Sequence, residues 1–342
     1  MITHPTQQRA LRGHRPQRVS QRVAATGEYV ARLSERLTDR DRWLARMLYE
    51  HKVLTTHQIT EIAHPSPRAA NARLLQLYKW RLVDRFQPFI TSGSAPMHYV
   101  LDVAGATVLA REDGLDPRHL NYKHERAIGI AHSLHLAHTV GTNGFFTALI
   151  AHSRQPGVAG ELTTWWSESR CRRHFGDIVL PDGYGRWHEQ RTEFEWFLEF
   201  DLATERPDRV AAKLPRYAQL AAATGITTPV LIWVPTARRE THVRQALATS
   251  LGVLDGPELV PVATATADFN ARPSAACWQP LNPQQPNAGE RLRLAELNSA
   301  WPHLPPLSPT SSPTTTTGNG TSTDLLPPSP LAPRPTLRRP RR

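Results

Sequence analysis

From Thr38 onward, apolar and polar positions alternate at helical spacing. Leu44, Met47 and Leu48 share one face, and Thr38-x-x-Asp41 ahead of them resembles a capping box, so a helix is predicted to about Glu50. Thr55-x-x-Gln58 is a second such box, opening a short helix with Ile59, Ile62 and Ala63 inward, which His64 and Pro65 end. Ser66 followed by Pro67 starts a third, in which Ala70, Leu74, Leu77 and Tyr78 form the buried stripe. Two extended runs flanking TSGSAP then predict a β-hairpin, and AGATVLARE a closing helix.

Between His124 and His152, small and apolar residues recur at helical spacing, predicting one long connecting helix or two broken near Gly141 to Gly144. After residue 160 the period shortens. LTTWWSES, FGDIVLP and EFEWFLEFD read as strands, followed by helix, strand, helix and strand at DRVAAKLPRYAQLAAA, TPVLIWVP, RRETHVRQALAT and ELVPVAT. The fold class is α+β: a helical segment with a hairpin, then an α/β mixed-sheet domain flanked by helices.

Composition sharpens this picture at the ends. The chain holds 30 prolines among 342 residues, and from about Asn270 it turns to Pro, Gln, Asn, Ser and Thr, a composition that predicts a disordered tail over 269–342, interrupted by a short helix at AGERLRLAELNSAW. No apolar run is long enough for a membrane helix, and the start lacks the apolar centre of a secretion signal, so a cytoplasmic location without membrane contact is expected. The two cysteines, Cys171 and Cys277, exclude a disulfide framework and a zinc site built on paired Cys-x-x-Cys motifs.

The formal charge is +11. Residues 1–37, a basic N-terminal arm with a helix expected over Gly27 to Leu37, hold seven arginines against Glu28 and Glu35; residues 38–102 hold nine basic against six acidic side chains. Such a balance points to a polyanion, and three helices followed by a hairpin over 38–112 resemble the winged helix-turn-helix, whose third helix enters the major groove of double-stranded DNA. On that reading Arg68, Asn71, Arg73 and Gln76 face bases or phosphates, and Lys79 and Arg81 face phosphate. Solvated faces of a small helical domain are the plainer alternative.

Within 161–268, beyond connecting helices at 113–160, three acids stand out. Asp177 falls on the expected second strand, and Glu199 and Asp201 alternate with Leu198 and Phe200 at the end of the third, so the latter two emerge on one face. Such a trio offers the oxygen ligands of Mg²⁺ or Mn²⁺, which activates water against a phosphodiester. Lys213, one helix later, can offset charge at phosphorus, and Glu168 on the first strand is a weaker fourth candidate. His132, His135 and His138 have three-residue spacing but no acidic or cysteine companion, and read as helix residues rather than metal ligands.

RDRWLARMLYEHKVLTTHQI, the hydrophobic strand ending in YVLD, and FLEFDLATE with KLPRY together resemble the replication-relaxation family over about residues 38–250. The resemblance implies a DNA-binding protein of plasmid or mobile-element type, with replication or mobilisation proteins, and a second copy of the chain, as further partners. The second half is also similar to the PD-(D/E)XK nucleases, which implies catalytic roles for Asp177, Glu199, Asp201 and Lys213, with the three acids as metal ligands. Asp201 stands where that pattern expects lysine. A metal-dependent endonuclease and a non-enzymatic regulator or replication accessory with a degenerate nuclease fold both stay open.

Overall fold

Local capping sets the first half of the molecule. Thr38 and Thr55 each accept the backbone N–H three residues on, while Asp41 and Gln58 reach back to the cap N–H, so both boxes close. The computed structural model describes residues 26–90, 92–118, 120, 122–268, 272–304 and 325–334. They divide into two units at Leu136, with 325–334 belonging to the first. No helix among the described residues is long and apolar enough to cross a membrane.

The first unit runs α1 (Gly27–Arg36), α2 (Asp39–His51), β1 (Leu54–Thr55), α3 (Thr56–Ala63), α4 (Pro67–Lys79), β2 (Val83–Phe86), β3 (His98–Leu101), α5 (Val103–Glu112) and α6 (His124–Gly129). The strands form an antiparallel sheet in the order β1-β3-β2. Leu44, Met47, Leu48, Ile59, Ile62, Ala70, Leu74 and Leu77 make its core, the stripes that helical spacing requires. The first 25 residues of the basic arm lie outside the described residues. The proline-rich piece 325–334 does not lack a place in the fold: Leu325 is buried, and the indole of Trp43 donates to the Ser329 carbonyl at 2.7 Å.

The second unit opens with α7 (Leu136–Ser153), continuous through Gly141 and Gly144; the break in the connecting helix comes earlier, at a 3-10 turn over Ile130–His132. It continues with β4 (Gly160–Ser167), α8 (Glu168–Phe175), β5 (Gly183–Glu189), β6 (Thr192–Phe200), α9 (Pro207–Ala211), α10 (Leu214–Thr224), β7 (Val230–Val234), α11 (Ala237–Leu251), β8 (Val262–Thr266) and β9 (Gln279–Pro280). The sheet order is β4-β5-β6-β7-β8-β9, with the two central pairings β6/β7 and β7/β8 parallel and the others antiparallel. On one face the Phe146 ring stacks on Trp165 and Trp196, at centroid distances of 5.0 and 6.3 Å. Gly185 is required there, because a Cβ would stand 2.4 Å from the Trp196 ring. On the other face Phe197, Leu214, Tyr217, Ile232, Val243 and Leu247 join one cluster.

Two expectations are corrected by this unit. FGDIVLP is not a strand: Ile178 and Val179 donate to the Phe175 carbonyl, so the run is the turn that ends α8, with Phe175 and Val179 buried by packing rather than by sheet pairing. The fold also does not stop at 268. Residues 272–304 are polar in composition yet anchored by few, large groups: Trp278, Leu294 and Leu297 are buried, and the buried Arg244 guanidinium donates to the Gln279 and Pro280 carbonyls at 2.6 and 2.9 Å. Glu240 pairs with Arg291 at 2.6 Å.

Candidate functional site

β6 alternates strictly, so Phe194, Trp196, Leu198 and Phe200 go to one face and Phe197 and Glu199 to the other. Glu199, only 4% exposed, is reached twice from the head of α10. The Tyr217 hydroxyl donates to its Oε1 at 2.6 Å, and the Lys213 ammonium donates to its Oε2. Lys213 and Tyr217 stand one helical turn apart, which is what lets one helix present both to a single carboxylate.

The second acid is Asp182, immediately before β5. Its Oδ2 accepts the Phe200 N–H at 2.8 Å and lies 3.1 Å from His138 Nε2, while its Oδ1 is 4.0 Å from the Lys213 ammonium. Four elements therefore meet: α7 through His138, the entry to β5, the end of β6, and α10. Lys213 stands between two carboxylates and keeps 39% of its side chain exposed, so the recess opens to solvent on the lysine side.

Burial raises the Glu199 carboxyl from its ordinary 4.5 to about 7; the Asp182 charge adds to this, while Lys213 and Tyr217 oppose it. Burial also works against ionised Asp182, but the His138 hydrogen bond, the charges of Lys213 and His138 and the Phe200 N–H prevail, holding it below the usual range. Burial would depress Lys213 and His138 likewise; the neighbouring carboxylates overcome it and hold both above their ordinary values. The result is an acid–base pair, Asp182 ionised and Glu199 poised near neutrality, around a fixed ammonium.

Glu199 and Lys213, expected from the sequence, are thus brought together, and Asp177, Asp201 and Glu168 are not. Asp177 is exposed on the turn after α8, since the strand that would have carried it does not form. Asp201 lies just past the end of β6, where alternation no longer governs direction. Its carboxylate takes the Arg239 guanidinium at 2.6 and 3.2 Å and the Ala203 N–H at 2.8 Å. Among the described residues Asp177, Glu199 and Asp201 do not form a group with ligand atoms within 4.8 Å of one another. Glu168 begins α8 rather than lying on a strand, and pairs with Arg172 at 2.7 Å.

Asp182, His138 and Tyr217 escaped the sequence reading. Asp182 sits in PDG, which reads as a turn; Tyr217 had a signal in its spacing from Lys213 within KLPRY. His138 was grouped with His132 and His135, yet those two precede α7 and only His138 lies on it.

In the first unit, Arg68, Asn71, Gln76 and Lys79 are exposed on α4. Arg73 and Arg81 are not available in the same way. Arg73 donates to the buried Asp41, at 2.9 Å from Nε, and to Gln76 at 2.9 Å, and lies 5.1 Å over the Trp80 ring. Arg81, at a positive φ of 56°, is half-buried and 3.9 Å from Asp102. An arginine at helical spacing can face a partner or its own fold, and these two face the fold.

No curated protein and no solved structure matches the chain. The family model described as replication-relaxation matches residues 46–232, more than half of the chain and a span that takes in α4, Asp182, Glu199, Lys213 and Tyr217. The chain therefore belongs to the replication-relaxation family.

Proposed function

We propose that this protein binds duplex DNA through its first unit, as a winged helix-turn-helix, and cleaves a phosphodiester at the Asp182–Glu199–Lys213 recess of a PD-(D/E)XK-like second unit. The observation that carries the reading is the Lys213 ammonium standing between two carboxylates at the end of a central strand. A recess that already holds a cation between oxygen donors suits a hard divalent ion. Asp182 and Glu199 would hold Mg²⁺ or Mn²⁺, which supplies a more acidic water and charge compensation at phosphorus.

The protein groups divide the remaining work. Lys213, charged and partly exposed, meets the non-bridging phosphate oxygens and offsets the charge that develops there. Glu199 would accept the proton of the attacking water as the new P–O bond forms, and the oxygen of the leaving group, released as the old P–O bond breaks, would take a proton from solvent on the open side of the recess. Tyr217 and His138 hold the two carboxylates in place and are positioning residues.

Supercoiled plasmid incubated with the protein in Mg²⁺ or Mn²⁺ should be nicked, with EDTA, Glu199→Gln and Asp182→Asn each abolishing the activity and Asp177→Ala leaving it intact. A second reading rests on the mutual satisfaction of Lys213, Glu199 and Asp182, and on Asp201 standing where lysine is expected: a replication accessory that binds DNA without cutting it. Intact plasmid beside a gel shift weakened by Arg68→Ala with Lys79→Ala would overturn cleavage and establish that reading.

A further inference from the structure

A different set of side chains converges in the first unit. Asp84 lies on β2 opposite Val100, Asp102 follows β3 at the head of α5, and His124 opens α6. His124 Nε2 is 2.9 Å from Asp84 Oδ2 and 3.7 Å from Asp102 Oδ1. The ligand atoms of all three lie within 4.8 Å of one another. A tetrahedral ion with bonds of 2.0–2.2 Å to nitrogen and oxygen spaces its ligands by about 3.4 Å, a value that the two measured separations bracket. His124 and Asp102 are buried, and Asp84 keeps 22% of its side chain exposed, which leaves a route for an ion and an open position for water.

The other oxygens of the two acids have defined partners. Asp84 Oδ1 accepts the Arg85 N–H at 2.8 Å, and Asp102 Oδ2 faces Arg81 at 3.9 Å. Asp102 Oδ1 also accepts the Val103 N–H at 2.6 Å. Tyr122 donates to the Leu101 carbonyl at 2.6 Å, fixing the chain two residues ahead of His124.

We propose that Asp84, Asp102 and His124 form a binding site for a divalent transition-metal ion of the Zn²⁺ class, which ties the hairpin to the heads of α5 and α6. Here an imidazole nitrogen and two carboxylates lie within 4.8 Å of one another, which suits the Zn²⁺ class, whereas in the Asp182–Glu199 recess His138 holds Asp182 in place and the carboxylate oxygens suit Mg²⁺ or Mn²⁺. The Zn²⁺-class site stands on its own residues and does not depend on cleavage.

The test uses the tag-free full chain carrying Asp182→Asn and Glu199→Gln, so that the recess contributes no carboxylate ligands. Co²⁺ is titrated with visible absorption as the readout, beside the melting temperature with and without Zn²⁺. About one equivalent of Co²⁺ should bind with ligand-field bands, be displaced by Zn²⁺ and not by Mg²⁺, and Zn²⁺ should raise the melting temperature. Asp84→Asn should weaken binding by more than the roughly 10–100-fold typical of groups that only support a ligand. Asp102→Asn, which keeps a side-chain oxygen for the Val103 N–H, should do the same with an unchanged far-ultraviolet spectrum. Absence of the bands, or bands that survive both substitutions, would overturn the site and leave His124 as an imidazole held by two acids.

Discussion

The two units are specified by different kinds of information. In the first, α2 and α3 are opened by residues three apart, and the hairpin pairs strands that follow one another in the chain. In the second, β6 pairs in parallel with β7 only after two helices intervene, and the sheet is closed by β9 beyond residue 278. Its recess draws on α7, the start of β5, the end of β6 and α10. Chain-local rules therefore account for much of one unit, whereas the other depends on contacts that exist only once distant segments have met.

The largest effect expected of a single substitution tests that dependence at its farthest point. Trp278 is fully buried, 5.7 Å from the Trp233 ring and 6.1 Å from Phe145, and its indole donates to the Pro273 carbonyl at 2.7 Å. Trp278→Ala should destabilise the second unit by about 3–5 kcal/mol, the range for removing a large aromatic from a core. Truncation after residue 268 should prevent that unit from folding, since it leaves Arg244 and Glu240 without Gln279, Pro280 and Arg291. Denaturant unfolding followed by tryptophan fluorescence measures the first and exchange-protected core amides the second; a truncated chain as stable as the full one would return the boundary to 268.

The next effect reads the recess through pH. Glu199 ionises near 7 in the folded protein against an ordinary 4.5, so the folded state holds this proton more tightly than the unfolded chain. Its contribution is complete below about 4.5 and is lost as pH rises through 7, a change on the order of 3 kcal/mol. Asp182, held below its usual range, acts with the opposite sign: its contribution is present above the ordinary carboxyl range and fades as pH falls through its lowered value. Unfolding free energies at pH 5 and pH 8 should therefore differ in the wild type by an amount that Glu199→Gln removes. Equal pH dependence in both proteins would place the titration elsewhere.

What could be read in advance follows the same division. Glu199 and Lys213 were legible because strand alternation and a rare lysine mark them without knowledge of the tertiary fold. Asp182 was not, since a proline–aspartate–glycine sequence signals a turn, and nothing local says that the turn delivers its carboxylate to Phe200 and His138. Asp177 was misplaced because Ile178 and Val179 are as apolar as a strand, and composition does not distinguish a buried turn from a paired one. The tail shows the converse: 272–304 looks too polar to fold, but Trp278, Leu294, Leu297 and two ion-paired arginines hold it.

In the first unit, the arginines of α4 offer a smaller and more discriminating effect. Arg73 is bound to Asp41, which also closes the α2 capping box, whereas Arg68 is exposed. Removing one partner of a fully buried pair costs about 3–5 kcal/mol, and because Arg73 keeps some solvent access the expected loss for Arg73→Ala is nearer 2 kcal/mol. Arg68→Ala should change stability by less than about 0.5 kcal/mol and instead reduce the salt dependence of DNA binding by roughly one counterion. Thermal melts and binding isotherms over a salt series separate the two roles; equal stability losses would show that exposure on α4 does not distinguish a contact residue from a structural one.

The smallest effect isolates a purely local rule. Thr55 caps α3 by accepting the Gln58 N–H at 3.2 Å, while Gln58 returns an oxygen to the Thr55 N–H at 2.9 Å. Thr55→Ala removes the first of these bonds and leaves the second, so about 1 kcal/mol should be lost, and Thr55→Ser, which restores the hydroxyl, should recover most of it. Because the box involves no residue beyond 58, the loss should be confined to the first unit, with plasmid nicking per folded molecule unchanged. A loss well above 1 kcal/mol, not recovered by serine, would mean that the buried Thr55 side chain acts through packing at the β1–β3 pairing, and that even this most legible element of the chain takes its stability from contacts the capping box does not contain.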